Sequence, residues 1–435
     1  MKKNNYSFLI FTIPFAFILI FGVLFLLWPK ETSSAVEQRN LQQRPIMDFK
    51  NLKTGNFSKE MDRYYGDQFP LRAGFLKVNN ATKSFTGFNS SGGENGVTYI
   101  ATKKDDGSLG KKKSRKKGKK DEQVKLADNP NGKDVKAEFG NASTGIIIVK
   151  GQAMSIYYYD EGINAAYGKR ITNLRENLPK NVRVFSLVAP PAISYYGTKE
   201  LRNGAYSVPS GINTINKNIK GKVIKVNAYK ELSKHTKEYL YLRTDHHWNG
   251  RGAYYAYKSF CKAAGFKPTK MKVKKAKPSF LGSMYGYTNQ NPILEKHKDR
   301  AEFFMPKYIK GAKNMCYEDA SMTNGVKTYL LSVKEASTAN QYMLYSGADS
   351  AINHITSKNK NGKSVLVIKD SFGDAFYPLL MDHYENVFAV DPRAFKGNLI
   401  NFIQEHKIND VVAINAAAFV GMQQWQDGFE AMISK

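Results

Sequence analysis

Ser364-Val365-Leu366-Val367-Ile368-Lys369-Asp370-Ser371-Phe372-Gly373-Asp374-Ala375-Phe376 decides between fold classes. Its four central apolar residues, mostly β-branched, read as a strand buried on both faces. Asp370-Ser371 then makes a sharp turn, and a helix follows. A polar pair so placed stands at the carboxyl end of a buried strand. That is the edge of an open α/β sheet where ligands and reactive groups collect. Ser371 opens the helix, where free backbone N–H groups favour a developing oxyanion.

The alternation extends in both directions. Downstream the helix runs to about residue 383, Asn386-Val387-Phe388-Ala389-Val390 reads as a strand, residues 398–406 as a helix and Val411-Val412-Ala413-Ile414-Asn415 as a strand. Upstream, strands are read at Gly145-Ile146-Ile147-Ile148-Val149, at Val182-Arg183-Val184-Phe185-Ser186-Leu187-Val188 and at Val223-Ile224-Lys225-Val226, with an amphipathic helix over 164–178. Strands alternating with helices predict an α/β fold with a mostly parallel sheet flanked by helices. Residues 267–340 read as Lys-rich and irregular, and no internal repeat is present.

The chain of 435 residues carries a net charge of +29 and is 42% hydrophobic, enough for a substantial core. Lys2 and Lys3 precede an almost unbroken apolar run over 8–28. About 20 apolar residues span a bilayer. Trp28-Pro29-Lys30-Glu31 follows directly where a cleaved leader would show small residues. Residues 1–30 therefore read as an uncleaved single-pass anchor in the cell membrane, N-terminus inside, with the remainder outside the cytoplasm. Residues 31–60 read as a polar stalk and 61–435 as the main domain, opening with a structured turn over 61–72.

Lys111-Lys112-Lys113-Ser114-Arg115-Lys116-Lys117-Gly118-Lys119-Lys120 lacks any apolar residue, so the insertion at about 103–137 is expected to be disordered. Outside the cytoplasm such charge answers to anionic lipid or wall polymer and not to nucleic acid. The plain alternative is a tolerated loop with no partner. Cys261 and Cys316 are too few for a disulfide framework and suit no zinc spacing. They are either one bridge or two unpaired thiols.

The second chemical stretch is Tyr241-Leu242-Arg243-Thr244-Asp245-His246-His247-Trp248-Asn249-Gly250. Asn249 is a good N-cap, and Ala253, Tyr254, Tyr257, Phe260 and Cys261 follow at helical spacing. A hydroxyl nucleophile needs a base within reach and a third group to orient that base. Asp245 and His247 supply the acid and the base, and Ser371 supplies the hydroxyl. Taken singly, each stretch has a bland reading: a histidine paired with an aspartate inside a core, or Asp and Ser at an ordinary helix start. Together they complement one another. Other chemistries fall away. No Gly-x-Ser-x-Gly elbow occurs. Gly362-Lys363-Ser364 precedes its strand and has Ser357 where a phosphate loop needs its first glycine. His246 and His247 are adjacent and point apart on a regular element, so no metal and no cofactor is expected.

Thr244-Asp245-His246-His247-Trp248, with Gly252-Ala253-Tyr254-Tyr255-Ala256-Tyr257 behind it, resembles the motif of the DHHW protein family. Further marks follow in order: Tyr65-Gly66-Asp67-Gln68-Phe69-Pro70-Leu71-Arg72, Asp370-Ser371-Phe372 before Pro378, and Asp391-Pro392-Arg393. That family is similar to the SGNH-hydrolase-like domains of alginate O-acetyltransferases. In those domains an Asp-x-His-Trp segment precedes the serine, a circularly permuted order. The resemblance implies Ser371 as nucleophile, His247 as general base and Asp245 as orienting acid. It implies an oxyanion hole containing the Ser371 N–H, with Gly347 or Asn415 as second donor. Arg243 and Arg393 are expected to shape the acceptor site, and Trp248 either to shape it or to pack the core. His246 receives no role. The implied activity is extracytoplasmic O-acetyl transfer to, or removal from, a cell-surface polysaccharide, with a polytopic membrane acyltransferase as acetyl donor. The rival reading is a non-enzymatic protein of wall-polymer binding or assembly on the same fold.

Overall fold

The computed structural model describes residues 145–434 apart from 289, 336–339 and 348. It also describes 56–71, 138–141 and scattered positions among the first 47. The chain forms two compact units, Met1–Val97 and Thr98–Lys435.

The second unit is organised by an eight-stranded sheet. Its strands are β1 (Arg183–Ala189), β2 (Val223–Val226), β3 (Lys313–Tyr317), β4 (Val326–Lys327), β5 (Ile352–Thr356), β6 (Ser364–Lys369), β7 (Asn386–Val390) and β8 (Asp410–Ala416). Their spatial order is β4-β3-β5-β7-β6-β8-β1-β2. The run β7-β6-β8-β1-β2 is parallel, and β5, β3 and β4 add antiparallel at one edge. β6 is central. Val365, Leu366, Val367 and Ile368 are all fully buried, each contributing about 1.5–3 kcal/mol of burial free energy. The strand is therefore held on both faces, and it ends at the turn that carries Ser371.

Helices α1 (Glu161–Glu176), α2 (Val208–Asn218), α3 (Ala228–Ser233), α4 (Gly250–Ala264), α5 (Leu399–Glu405) and α6 (Gln423–Ile433) flank the sheet. They pack as the pairs α1–α2, α3–α4 and α5–α6. Asp160 caps α1 by accepting from Ile163 N. Asn249 caps α4, which ends at Gly265 in the left-handed conformation, φ 77°.

Three departures from the sequence reading have local causes. The sheet carries three antiparallel strands that were not read as strands, β3, β4 and β5, because their polar and charged residues hide a strand pattern. The helix expected after Ser371 is two 3-10 segments, Ser371–Ala375 and Tyr377–Asp382. Gly373 N and Phe376 N donate to Asp370 O and Gly373 O, tight three-residue closures. Pro378 then offers no N–H with which an α-helix could continue. Lastly, the Lys-rich 267–340 region holds the ladder Lys272–Lys275 with Glu302–Met305. Cys261 and Cys316 are both free.

In the first unit, Thr12, Phe15, Leu19 and residues 22–27 are helical, while much of the expected anchor lies outside the described residues. Among the described residues no helix is long and apolar enough to cross a membrane. The expected stalk contains a short antiparallel pair, Ser33–Ser34 with Arg39–Asn40. A helix, Asn56–Asp67, stands where a turn was expected at 61–72. The basic insertion at 103–137 lies outside the described residues.

Candidate active site

Residues 241–248 form a tight hairpin ahead of α4. Tyr241 bridges Trp248, Leu242 N donates to His247 O and Asn249 N donates to Leu240 O. Asp299 fixes the hairpin from outside. Its carboxylate, fully buried, accepts from Arg243 N at 2.8 Å, Thr244 N at 2.7 Å and Thr244 Oγ1 at 2.6 Å, and also from the Tyr239 hydroxyl. Burial raises the Asp299 carboxyl against those four donors.

The hairpin tip meets the end of β6. His247 Nδ1 lies 2.6 Å from Asp245 Oδ1, and His247 Nε2 lies 2.7 Å from Ser371 Oγ. Asp245 is an acceptor, so Nδ1 carries the proton. Nε2 is then the bare nitrogen that receives the Ser371 proton, the tautomer a general base needs. Asp245 Oδ1 also accepts from His247 N at 3.0 Å, and Oδ2 from Ser283 N at 2.9 Å and Ser283 Oγ at 3.0 Å. Burial would raise this carboxyl. The adjacent His247 and His246 rings, the His247 hydrogen bond and the Ser283 backbone donor outweigh it and hold the group well below the usual carboxylate range. The His247 ring is clamped between Tyr342, with centroids 3.8 Å apart and planes 10° apart, and His246, at 3.8 Å and 37°. Two rings this close to one imidazole must occupy its opposite faces.

Ser371 is half-buried at the first position of its 3-10 turn, where a backbone N–H has no acceptor within the turn. Asp370, the N-cap, accepts from Phe372 N at 2.9 Å with Oδ1 and from Ala416 N at 2.7 Å with Oδ2. One carboxylate thus ties the nucleophile turn to the end of β8. Burial pushes the Asp370 carboxyl up to about 6. The Tyr342 hydroxyl donates to Ser371 O at 2.8 Å.

The structure brings Asp245, His247 and Ser371 together and distributes the weaker candidates elsewhere. Trp248 is fully buried, and its Nε1–H donates to Phe372 O at 2.9 Å. It joins the hairpin to the nucleophile turn and presents nothing to an acceptor. Arg243 is exposed, stands over the Tyr239 ring at 5.0 Å and lines a pocket of about 280 Å³ with Lys150, Gln152 and Lys237. No triad residue lines that pocket. Arg393 is committed to carboxylates: to Asp391 through Nε at 2.9 Å and to Asp349 through Nη2 at 2.8 Å. Asp349 also pairs with Lys369, itself buried beside Asp374. Gly347 cannot serve as the second oxyanion donor, since its N–H already donates to Met343 O at 2.7 Å. Its φ of 101° explains the glycine. Asn415 is buried with Oδ1 accepting from the Tyr167 hydroxyl at 2.6 Å, while its Nδ2 has no partner.

Asp245, His246 and His247 bring ligand atoms within 4.8 Å of one another, among the described residues the one such group. Their inward-facing atoms are already spent on each other, on Ser283 and on Ser371. That donor set describes a proton relay better than a cation cage.

The residues that the sequence did not mark are the clamps: Ser283, Gly282, Asp299 and Tyr342. Gly282 lies in the stretch read as Lys-rich and irregular. Yet a Cβ at Gly282 would fall on the Asp245 side chain. Tyr342 lies far from both motifs in sequence and carried no signal.

An α/β sheet carries a hydrogen-bonded Asp-His-Ser chain at the carboxyl end of a central parallel strand, which is the geometry of a triad. The DHHW protein profile matches residues 121–390, and the chain belongs to that family. A DHHW family protein from Eubacterium siraeum superposes with TM-score 0.60 at 26% identity, covering 69% of this chain and 99% of that one. PatB1 of Bacillus cereus gives 0.53 at 19%, covering 64% and 98%. The same protein bearing a sulfonyl adduct gives 0.52 at 17%, covering 65% and 96%. The O-acetyltransferase domain of Pseudomonas putida AlgJ gives 0.35 at 12%, covering 66% and 98%. Comparison with curated proteins found no match.

Proposed function

We propose that this protein is an SGNH-type O-acyltransferase or esterase that moves acetyl groups on and off hydroxyls of a cell-surface polysaccharide. The observation that carries the reading is the continuous chain Asp245–His247–Ser371, with hydrogen bonds of 2.6 and 2.7 Å. A structural histidine can be satisfied at its second nitrogen by any hydroxyl, as His383 is by Tyr257. Here the hydroxyl is that of Ser371, on a turn pinned by Asp370 and Tyr342. In the proposed cycle Ser371 Oγ attacks the acetyl carbonyl while His247 Nε2 takes its proton. The departing alcohol leaves with that proton, and an acetyl-serine ester remains. An incoming hydroxyl reverses the steps. Positioned proton transfer of this kind supplies on the order of 10²- to 10⁴-fold. The Ser371 N–H and the unpartnered Asn415 Nδ2 are the donors proposed for the developing oxyanion.

The apolar run over 8–28 supports placement of the site outside the cytoplasm on a membrane anchor, and the resemblance noted above suggests a membrane acyltransferase as acetyl source. A chromogenic acetyl ester, with and without oligosaccharide acceptors, tests the reading. Wild type is expected to release chromophore, and Ser371→Ala to lose about 10⁴-fold or more while remaining folded by circular dichroism. Equal rates in the two proteins, with no labelling of wild type by a sulfonyl fluoride, would move the protein to the non-enzymatic polymer-binding reading.

A further inference from the structure

Hydrogen-bond accounting assigns a state to His246, the one motif residue that the triad does not use. Ser283 has a single hydroxyl proton. It goes to Asp245 Oδ2 at 3.0 Å, because an ionised carboxylate only accepts. Ser283 Oγ is therefore the acceptor in its 2.7 Å contact with His246 Nδ1. His246 Nδ1 carries the ring proton, and Nε2 is left as a bare lone pair. No described residue donates to that Nε2, and the side chain is 23% exposed. Burial, with His247 beside it, pushes His246 down to about 3, so the ring is neutral.

The two imidazoles are oriented alike. Each is held on its Nδ1 side, His247 by Asp245 and His246 by Ser283, and their centroids lie 3.8 Å apart with the planes tilted by 37°. The Nδ1 atoms lie 2.6 and 3.9 Å from Asp245 Oδ1, so each Nε2 is on the far side of its ring from that carboxylate, where His247 Nε2 meets Ser371. The Phe372 ring borders both, at 5.1 Å from His247 and 6.2 Å from His246.

We propose that His246 Nε2 accepts a hydrogen bond from a second hydroxyl of the acyl acceptor, adjacent to the one that attacks, so that the site selects vicinal diols. This rests on the acyl-transfer reading and refines it. The attacking hydroxyl has one proton, which His247 Nε2 must receive. It cannot also satisfy His246. A neighbouring hydroxyl on the same sugar can, whereas a simple alcohol has no second donor and water has only the other hydrogen of the attacking oxygen itself. In the transfer step the acceptor oxygen bonds to the acetyl carbon and its proton passes to His247. The Ser371 ester bond then breaks, and Ser371 Oγ takes the proton back. His246 exchanges no proton. It orients the diol as an acceptor.

The full chain is given a chromogenic acetyl ester as donor, with ethylene glycol or its monomethyl ether as acceptor. The ether keeps the attacking hydroxyl and lacks the second donor. Acetylated product is measured against free acetate in the same sample, a ratio indifferent to how much protein is folded. After correction for its two equivalent hydroxyls, the diol is expected to be preferred about five- to tenfold, the worth of one hydrogen bond. His246→Phe, which keeps a stacking ring without an acceptor, should bring that preference to unity. His246→Gln, whose Oε1 accepts, should keep part of it. No diol preference in wild type, or an undiminished one in His246→Phe, overturns the proposal. Absence of any Ser371-dependent acetate release is a failure of the acyl-transfer reading instead. In that event ¹⁵N NMR of the histidine rings still decides on His246. A proton on Nε2 overturns the assignment, and a bare Nε2 with a protonated Nδ1 upholds it.

Discussion

Gly282 shows how close the tolerances are around the triad acid. Asp245 receives both its Oδ2 hydrogen bonds from Ser283, and the chain must pass against the carboxylate to deliver them. Gly282 N donates to Thr244 Oγ1 at 2.9 Å, which locks the approach. A methyl group at Gly282 has nowhere to go except into Asp245. Gly282→Ala should therefore displace the acid, tilt His247 and spoil its alignment with Ser371. Misplacement of a reacting group by about 1 Å costs on the order of 10²-fold. The expected outcome is a fall of that order in kcat on a chromogenic ester, with the melting temperature lowered by only a few degrees. A full-activity Gly282→Ala protein would mean that Asp245 has room to move.

At the scale of elements, the strand–turn unit β6 and its 3-10 segment depends on Asp370. Its carboxylate joins the turn to β8, and burial lifts it to about 6 from a usual value near 3.8. Between those values the folded protein holds a proton that the unfolded chain has released. Unfolding therefore gives up a proton, and stability falls as pH rises from about 4 to 6, then levels off. Asp374, pushed by burial to about 7 beside Lys369, acts with the same sign. Asp245 and Asp349, held low, act in the opposite sense and only in more acid solution. Asp370→Asn should lower stability by about 1–3 kcal/mol, since one buried N–H loses its acceptor. It should also shrink the difference between urea midpoints measured at pH 4.5 and 6.5. An unchanged difference would remove Asp370 as a titrating group. These elements also show what could be read from sequence. β1, β2, β6, β7 and β8 were legible because buried parallel strands are continuous apolar runs. The capped start of α4 was legible because Asn249 precedes a helical apolar face. Asp245, His247 and Ser371 were found because each sat beside a recognisable element boundary. Ile352-Asn353-His354-Ile355-Thr356 was missed because three polar residues in five break both the continuous apolar run and the strict alternation that mark a strand. Ser283, Asp299 and Tyr342 were missed because their roles exist only through tertiary contact.

For the whole molecule, charge and hydrophobicity are segregated along the chain, and this separates two modes of surface attachment. The net charge of +29 is enriched over 103–137, whereas the apolar run lies over 8–28. A polybasic segment binds anionic surfaces by about 1 kcal/mol per basic residue near the surface, and salt screens that term. A membrane-spanning anchor is indifferent to salt. The two contributions are separable by fractionation. Full-length protein expressed in a bacterial host is expected to stay with the membrane pellet in 1 M salt and to need detergent for release. A chain beginning at residue 31 should pellet with vesicles containing anionic lipid at low salt and leave them as salt rises. Removing residues 103–137 from that shorter chain should weaken its vesicle binding and flatten the salt dependence. Release of the full-length protein by salt alone would show that residues 8–28 do not anchor it. Any remaining surface binding would then be left to the charge at 103–137.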